Sequence, residues 1–492
     1  MIKDFVKDTV KYLPCYVVPG IVGFISIPIV TRLFLPADYG NYSLVVAAVT
    51  VLTALIGWLS MSIVRFYPAY ERDKKLNIFY GTTVKLLGVS ILIITAGFWF
   101  ILLLIKGYLS PKLYALMYVG LGSFVLTSIF GVFQSFLVAK RTINWLSGFA
   151  VWKSIMGFGF GILLIFSFEL NVEGLLWGVI LSIIFVLPLS WRKAAGKVTI
   201  ARSGIDSILT RDMARYGFPL VAGNLAAWIL SLSDRYILEF FWGTNEVGIY
   251  SAGYNISAQT TMLVVDLFLV ASTPILMNIW ENRGKAESKE FVFNLTRYYL
   301  IWCIPAVIGL SVLAKPVMSV LTGQQYQEGY RIIPFVAVGI LFLGLQHRFQ
   351  SGFLVRKKTG FITLAIVVSG LLNVILNLLF IPKHGYMAAG VTTLISYVFL
   401  LFLMIIISRR IFIWSFPFRS MVNSVCASGV MGVAVYFVSK NLIYPDIMKG
   451  LISLIVSACV GVVVYLLTLI LLKELSQEEI QMFHFLKRKI LK

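Results

Sequence analysis

The chain has 492 residues, 59% of them hydrophobic and 13% charged, with a formal net charge of +21. A soluble domain is about 45–50% apolar and about 25% charged, so a water-exposed globule could not bury this composition. Apolar runs of roughly 20 residues, the length that spans about 30 Å of hydrocarbon as helix, recur almost throughout. They are continuous and not alternating, which excludes a transmembrane barrel.

The first eleven residues carry Lys3, Lys7 and Lys11 ahead of an apolar run. That run is too long for a signal peptide and lacks an A-x-A exit, so it is predicted to be an uncleaved first span. Apolar windows bounded by charge, Pro and Gly predict fourteen spans, at about 13–34, 40–64, 80–105, 113–138, 145–168, 173–190, 216–241, 248–279, 294–313, 332–353, 360–381, 386–407, 419–438 and 450–472. Most of the 42 Lys and Arg residues fall in alternate connections. By the positive-inside rule this places both termini in the cytoplasm. Because the cations are dispersed over many loops and form no single basic face, nucleic acid is excluded as a partner. The N-terminal segment and the tail 474–492 are amphipathic and are expected on the inner leaflet.

A basic connection at 191–215 is predicted to link an N-terminal bundle, 1–190, to a C-terminal bundle, 216–407, with two further spans and the tail in 408–492. Each bundle opens with a similar pattern. Pro28 and Arg32 precede Gly40-x-Tyr42-Ser43, and Pro219 and Arg235 precede Gly248-x-Tyr250-Ser251. Six spans followed by six give two parallel repeats, an arrangement suited to rocking one half against the other.

Charge inside a span needs a reason, since an ionised side chain at the bilayer centre costs about 2.5–3.5 kcal/mol on insertion scales. Arg32, Lys85, Lys153, Arg235 and Arg348 are the cationic candidates for lining a cavity that takes an anionic, phosphorylated substrate, Arg as a fork and Lys as a point charge. Snorkelling to the interface is the competing role for Arg32, Arg235 and Lys85. Asp234, Asp266 and His347 are candidates for charge pairing or ion coupling. Asn373 and Asn377 share a helix face and are expected to hydrogen-bond between helices. The run Gly157, Gly159, Gly161 is expected to admit a close neighbour. Cys15, Cys303, Cys426 and Cys459 are scattered and are read as packing residues. No P-loop, H-E-x-x-H or nucleophile elbow occurs. The connections on the outer side are short, the longest at about 314–331, and leave little room for a catalytic domain.

Pro19-Gly20 through Pro28, Thr31-Arg32, Asp38-Tyr39-Gly40-x-Tyr42-Ser43, Tyr216-Gly217-x-Pro219, Ser233-Asp234-Arg235 and Val247-Gly248-x-Tyr250-Ser251-x-x-Tyr254 resemble the starts of the two lobes in the polysaccharide exporters. These are the O-antigen (Wzx-type) flippases of the multidrug, oligosaccharidyl-lipid and polysaccharide exporter superfamily. The resemblance implies an all-α fold of two six-helix bundles around a central cavity, with two C-terminal helices that could form a groove for a lipid tail. It also implies alternating access and transfer of an undecaprenyl-pyrophosphate-linked oligosaccharide from the cytoplasmic to the outer leaflet of the inner membrane, for cell-surface polysaccharide synthesis. No cofactor is expected beyond a coupling sodium ion or proton. The expected partners are the lipid-linked glycan, membrane lipids and other polysaccharide-assembly proteins, and the expected state is a monomer. A small-solute or drug antiporter of the same fold is the first alternative, disfavoured by the excess of cations over acids. A membrane glycosyltransferase or polymerase is the second.

Overall fold

The structure, a computed structural model, describes residues 2–196, 198, 205–356, 358–409, 412–441 and 447–474. Among these the regular structure is helical throughout: α1 (Ile2–Leu33), α2 (Pro36–Arg72), α3 (Leu76–Ile105), α4 (Pro111–Ala139), α5 (Ile143–Phe168), α6 (Glu173–Ala195), α7 (Ser207–Trp242), α8 (Thr244–Asn282), α9 (Gly284–Val312), α10 (Ala314–Leu321), α11 (Ile333–Val355), α12 (Gly360–Ser408), α13 (Phe418–Asn441) and α14 (Ile447–Leu471). Eleven helices among the described residues are long and apolar enough to cross a membrane. α1 adds the shorter apolar stretch Val17–Leu33, and α8 falls outside the set. Many helices run on past their apolar windows into charged and aromatic turns. The 37 residues of α2 rise about 55 Å. Leu92, Ile93, Phe100 and Leu104 on α3 are exposed, an apolar surface that only a lipid environment suits.

Two expectations need correction or completion. The stretch at 314–331 is not a loop: α10 is followed by a 3₁₀ helix at Gln324–Ile332, whose period escapes a hydropathy reading because its side chains are mostly polar. The windows 360–381 and 386–407 correspond to two helices that meet at a kink at Gly385, φ 57° and ψ −143°, within the 49-residue run α12. Only glycine adopts that backbone freely, and the helical run changes course there. Residues 197 and 199–204 of the basic linker and 475–492 of the tail lie outside the described residues, as do the side chains that would show the amphipathic face at the start of α1.

The chain divides into two compact units, Met1–Ser251 with Ile366–Ala389, and Ala252–Ala365 with Gly390–Lys492. In the first, α5 packs on α1 and α6, α4 on α2 and α6, and α2 on α7. Small residues set the spacing. A Cβ added at Gly178 of α6 would lie 2.3 Å from both Gly157 O and Gly161 N of α5. Gly157 and Gly161 thus form the contact face, while Gly159 meets nothing within 4 Å. Gly178→Val is expected to force these helices apart and destabilise the protein by about 1–3 kcal/mol; the yield and melting temperature of purified protein would report it, and Gly159→Val should change neither.

In the second unit α9 packs on α11 and α13, and α13 on α14. Tyr465 donates to Ile301 O at 2.6 Å. Glu474, just past α14, accepts Arg297 Nε of α9 at 3.1 Å and Asn423 Nδ2 of α13 at 2.8 Å, and its carbonyl accepts Arg297 Nη2 at 2.6 Å. Arg297 lies in the window 294–313, and its acid is 177 residues away in sequence, too distant for spacing to reveal. The pair is largely buried, with side-chain exposures of 15% and 4%. Glu474→Ala is expected to cost about 3 kcal/mol, because it strands a desolvated guanidinium. Thermal melting checks this, and Glu474→Gln should restore part of the loss.

Candidate substrate cavity and the membrane charges

Within the first unit, α1, α2, α4, α5 and α6 line an open-sided cavity of ≈ 740 Å³. Its described lining includes Ser26, Tyr42, Phe130, Gln134, Lys153 and Ser154. Lys153 is the one charged side chain among the described lining residues, and no carboxylate joins it. Its Nζ lies 5.8 Å from the centroid of the Phe130 ring, a distance at which the ring face attracts the cation. Both amide atoms of Gln134 are buried without a hydrogen-bond partner among the described residues. A buried amide normally finds partners, so donor and acceptor are left available to a ligand. Ammonium, amide, hydroxyls and aromatic faces together suit a molecule that is anionic and rich in hydroxyl groups. Lys153 was legible from its depth in a span; Gln134 carried no signal, because a lone Gln in a helix is more often a packing residue.

The other cations are placed differently. Arg32 is exposed at the end of α1 and its Nη1 donates to Pro28 O at 2.8 Å. Lys85 is half-buried on α3. Neither is among the described residues lining the cavity, nor is Arg235. Asp234 and Arg235 are buried on α7, at 1% and 5% exposure. Asp234 accepts the Arg235 backbone N–H at 2.8 Å through one oxygen and the Tyr250 hydroxyl through the other. The tyrosine is the one in the second Gly-x-Tyr-Ser element, a partnership the sequence does not disclose. In the second unit, Asp266 on α8 is half-buried. There Gln346 Nε2 and His347 Nδ1 of α11 lie 3.2 Å apart, and Arg348 is 1% exposed. Asn377 Nδ2 donates to Asn373 Oδ1 at 2.9 Å along a single helix.

The two Gly-x-Tyr-Ser elements meet, inside the first unit. Ser43 and Ser251 hydroxyls are 2.8 Å apart across a separation of 208 residues. A Cβ at Gly40 would lie 1.9 Å from Thr244 O, and one at Gly248 1.9 Å from Pro36 O, so each glycine receives the carbonyl that precedes the other by one helical turn. Nearby, Tyr236 donates to Leu44 O at 2.8 Å and Trp228 Nε1 to Ala47 O at 3.0 Å, tying α7 to α2. Sequence comparison of the two halves finds the elements; their reciprocal contact needs the fold.

An uncharacterized membrane protein of Methanocaldococcus jannaschii is 23% identical over 371 residues, covering 69% of this chain and 71% of its own. A Haloferax volcanii protein, named as the probable low-salt glycan biosynthesis flippase Agl15, is 22% identical over 259 residues, 52% of this chain and 51% of its own. The solved lipid II flippase MurJ, in an inward closed conformation, superposes with a TM-score of 0.76 at 17% identity, covering 95% of this chain and 99% of that one. An inward-facing multidrug resistance transporter of the MATE family superposes at 0.62 with 14% identity, covering 81% and 94%. At these identities the superpositions establish the fold, one shared with both of these transporters. The family described as polysaccharide biosynthesis protein matches residues 5–280, more than half of the sequence, and the chain belongs to it.

Proposed function

We propose that the protein is a flippase that carries a polyprenyl pyrophosphate-linked oligosaccharide, with undecaprenyl as the lipid, from the cytoplasmic to the outer leaflet by alternating access. The observation that carries this reading is the cavity around Lys153, where a cation and an unpartnered amide stand without any acid among the described lining residues. Family membership and the relative named for glycan flipping support it. A transporter of cationic drugs needs the opposite polarity in its cavity, an acid in place of a lysine. In this reading Lys153 and Gln134 receive the head of the substrate, and Arg32, Lys85 and Arg235 guide its anionic groups as the cavity opens. Asp234, Asp266 and His347 are the groups available to couple the cycle to sodium or protons.

The two bundles 1–190 and 216–407, joined by the linker 191–215, move as a monomer in the inner membrane, with both termini cytoplasmic and residues 408–492 as an appendix. The test is leaflet assignment of lipid-linked glycan in cells depleted of the protein, with a sugar probe that reaches only the outer face. Accumulation on the inner leaflet, reversed by the wild-type gene, is the expected result. An unchanged distribution would overturn the reading in favour of a small-solute antiporter.

A further inference from the structure

Among the described residues Arg348 is the largest side chain at under 2% exposure, and its guanidinium is held on two sides. Nη1 donates to Ser272 Oγ of α8 at 3.2 Å. The guanidinium carbon lies 5.4 Å from the centroid of the Tyr299 ring on α9, and that ring is fixed by its hydroxyl, which donates to Leu341 O at 2.7 Å. Gly344, one turn before Arg348, makes this possible, since a Cβ there would lie 2.2 Å from the Tyr299 oxygen.

The remaining donors, Nε and Nη2, are buried without a hydrogen-bond partner among the described residues, and none of the ion pairs formed by described residues includes Arg348. These two N–H groups share one edge of the planar guanidinium and run parallel, which is the geometry that grips two oxygens of one carboxylate or phosphate. A buried cation is ordinarily neutralised by a partner. Here the face and the far nitrogen are braced, while the forked edge is buried with no hydrogen-bond partner among the described residues.

We propose that this edge of Arg348 is a binding site for an oxyanion of the phosphate class, two of whose oxygens accept Nε–H and Nη2–H together. Tyr299 and Ser272 orient the fork and are positioning residues. That the phosphate belongs to a lipid-linked substrate rests on the transport reading above; the fork itself does not, and its test requires no transport.

The purified full chain in detergent is melted with inorganic pyrophosphate, with polyprenyl phosphate in mixed micelles, and with sodium chloride at matched ionic strength. The expected result is a saturable rise in melting temperature with a phosphate probe that chloride does not reproduce, abolished by Arg348→Gln. Arg348→Lys, which keeps charge and loses the fork, should weaken apparent affinity at least about 10-fold. Ser272→Ala, which leaves the fork intact, should weaken it less. Protection by polyprenyl phosphate alone would assign the oxyanion to a lipid headgroup, and protection by pyrophosphate would show that the free ion suffices. The proposal is overturned if neither phosphate probe protects, if chloride protects equally, or if Arg348→Lys binds as the wild type does. The lysine variant decides the matter should Arg348→Gln fail to fold. Because the leaflet assay reads glycan position and the melts read oxyanion binding, each can fail without the other.

Discussion

Lys153→Met is expected to reduce delivery of lipid-linked glycan to the outer leaflet by about 10–100-fold, with little change in protein level. The size follows from the loss of one charge-assisted hydrogen bond, about 1.5–3 kcal/mol, which converts to that range at 1.4 kcal/mol per decade. Methionine keeps the length and flexibility of the side chain, so packing against Phe130 survives while the charge is removed. No acid is stranded by the change, since none stands among the described lining residues; this separates a binding role from a structural one. Gln134→Leu at the same cavity should lower delivery by a smaller factor and raise melting temperature, because it replaces an unsatisfied amide by an apolar side chain. A variant pair that lost export only in proportion to lost protein would assign both residues to folding.

Joining the two Gly-x-Tyr-Ser elements covalently is expected to stop transport altogether. In Ser43→Cys with Ser251→Cys, side-chain atoms 2.8 Å apart become thiols within reach of a disulfide with little backbone movement. If the N-terminal and C-terminal bundles rock against each other, residues 40–43 and 248–251 must part at one stage of every cycle. Oxidised protein should then deliver no glycan, reductant should restore delivery, and either single cysteine variant should behave as the wild type under both conditions. Full delivery by cross-linked protein would mean that this seam never opens and that the moving interface lies elsewhere. Gly40→Ala probes the contact from the other direction: the added methyl meets a carbonyl at 1.9 Å and should hold the seam apart.

Much of the helical plan was legible because apolar length is a one-dimensional signal. The break inside α12 could be anticipated from Pro382, Lys383, His384 and Gly385 between two apolar windows, and the seam from a repeated tetrad. Other features depend on partners that are close only in space. Asp234 also accepts from the backbone of its own helix and from the Tyr250 hydroxyl, partners that its charge alone does not disclose. Arg297 stands in its span with its acid 177 residues away, a pairing that no local spacing discloses. Gln134 matters only because five helices leave room beside it. Hydropathy reports which residues face lipid, whereas the polarity of an interior is decided by a few side chains whose neighbours no window reveals.

The lashing of Glu474 to two helices sets a limit on how the chain can be handled. Arg297 and Asn423 grip both the side chain and the carbonyl of the last described residue, so this point acts as a cleat that isolates the helices from load applied further along. A folded reporter attached beyond it should leave melting behaviour unchanged, whereas a chain cut short before Glu474 should lose the tie between α9 and α13 and melt at a lower temperature.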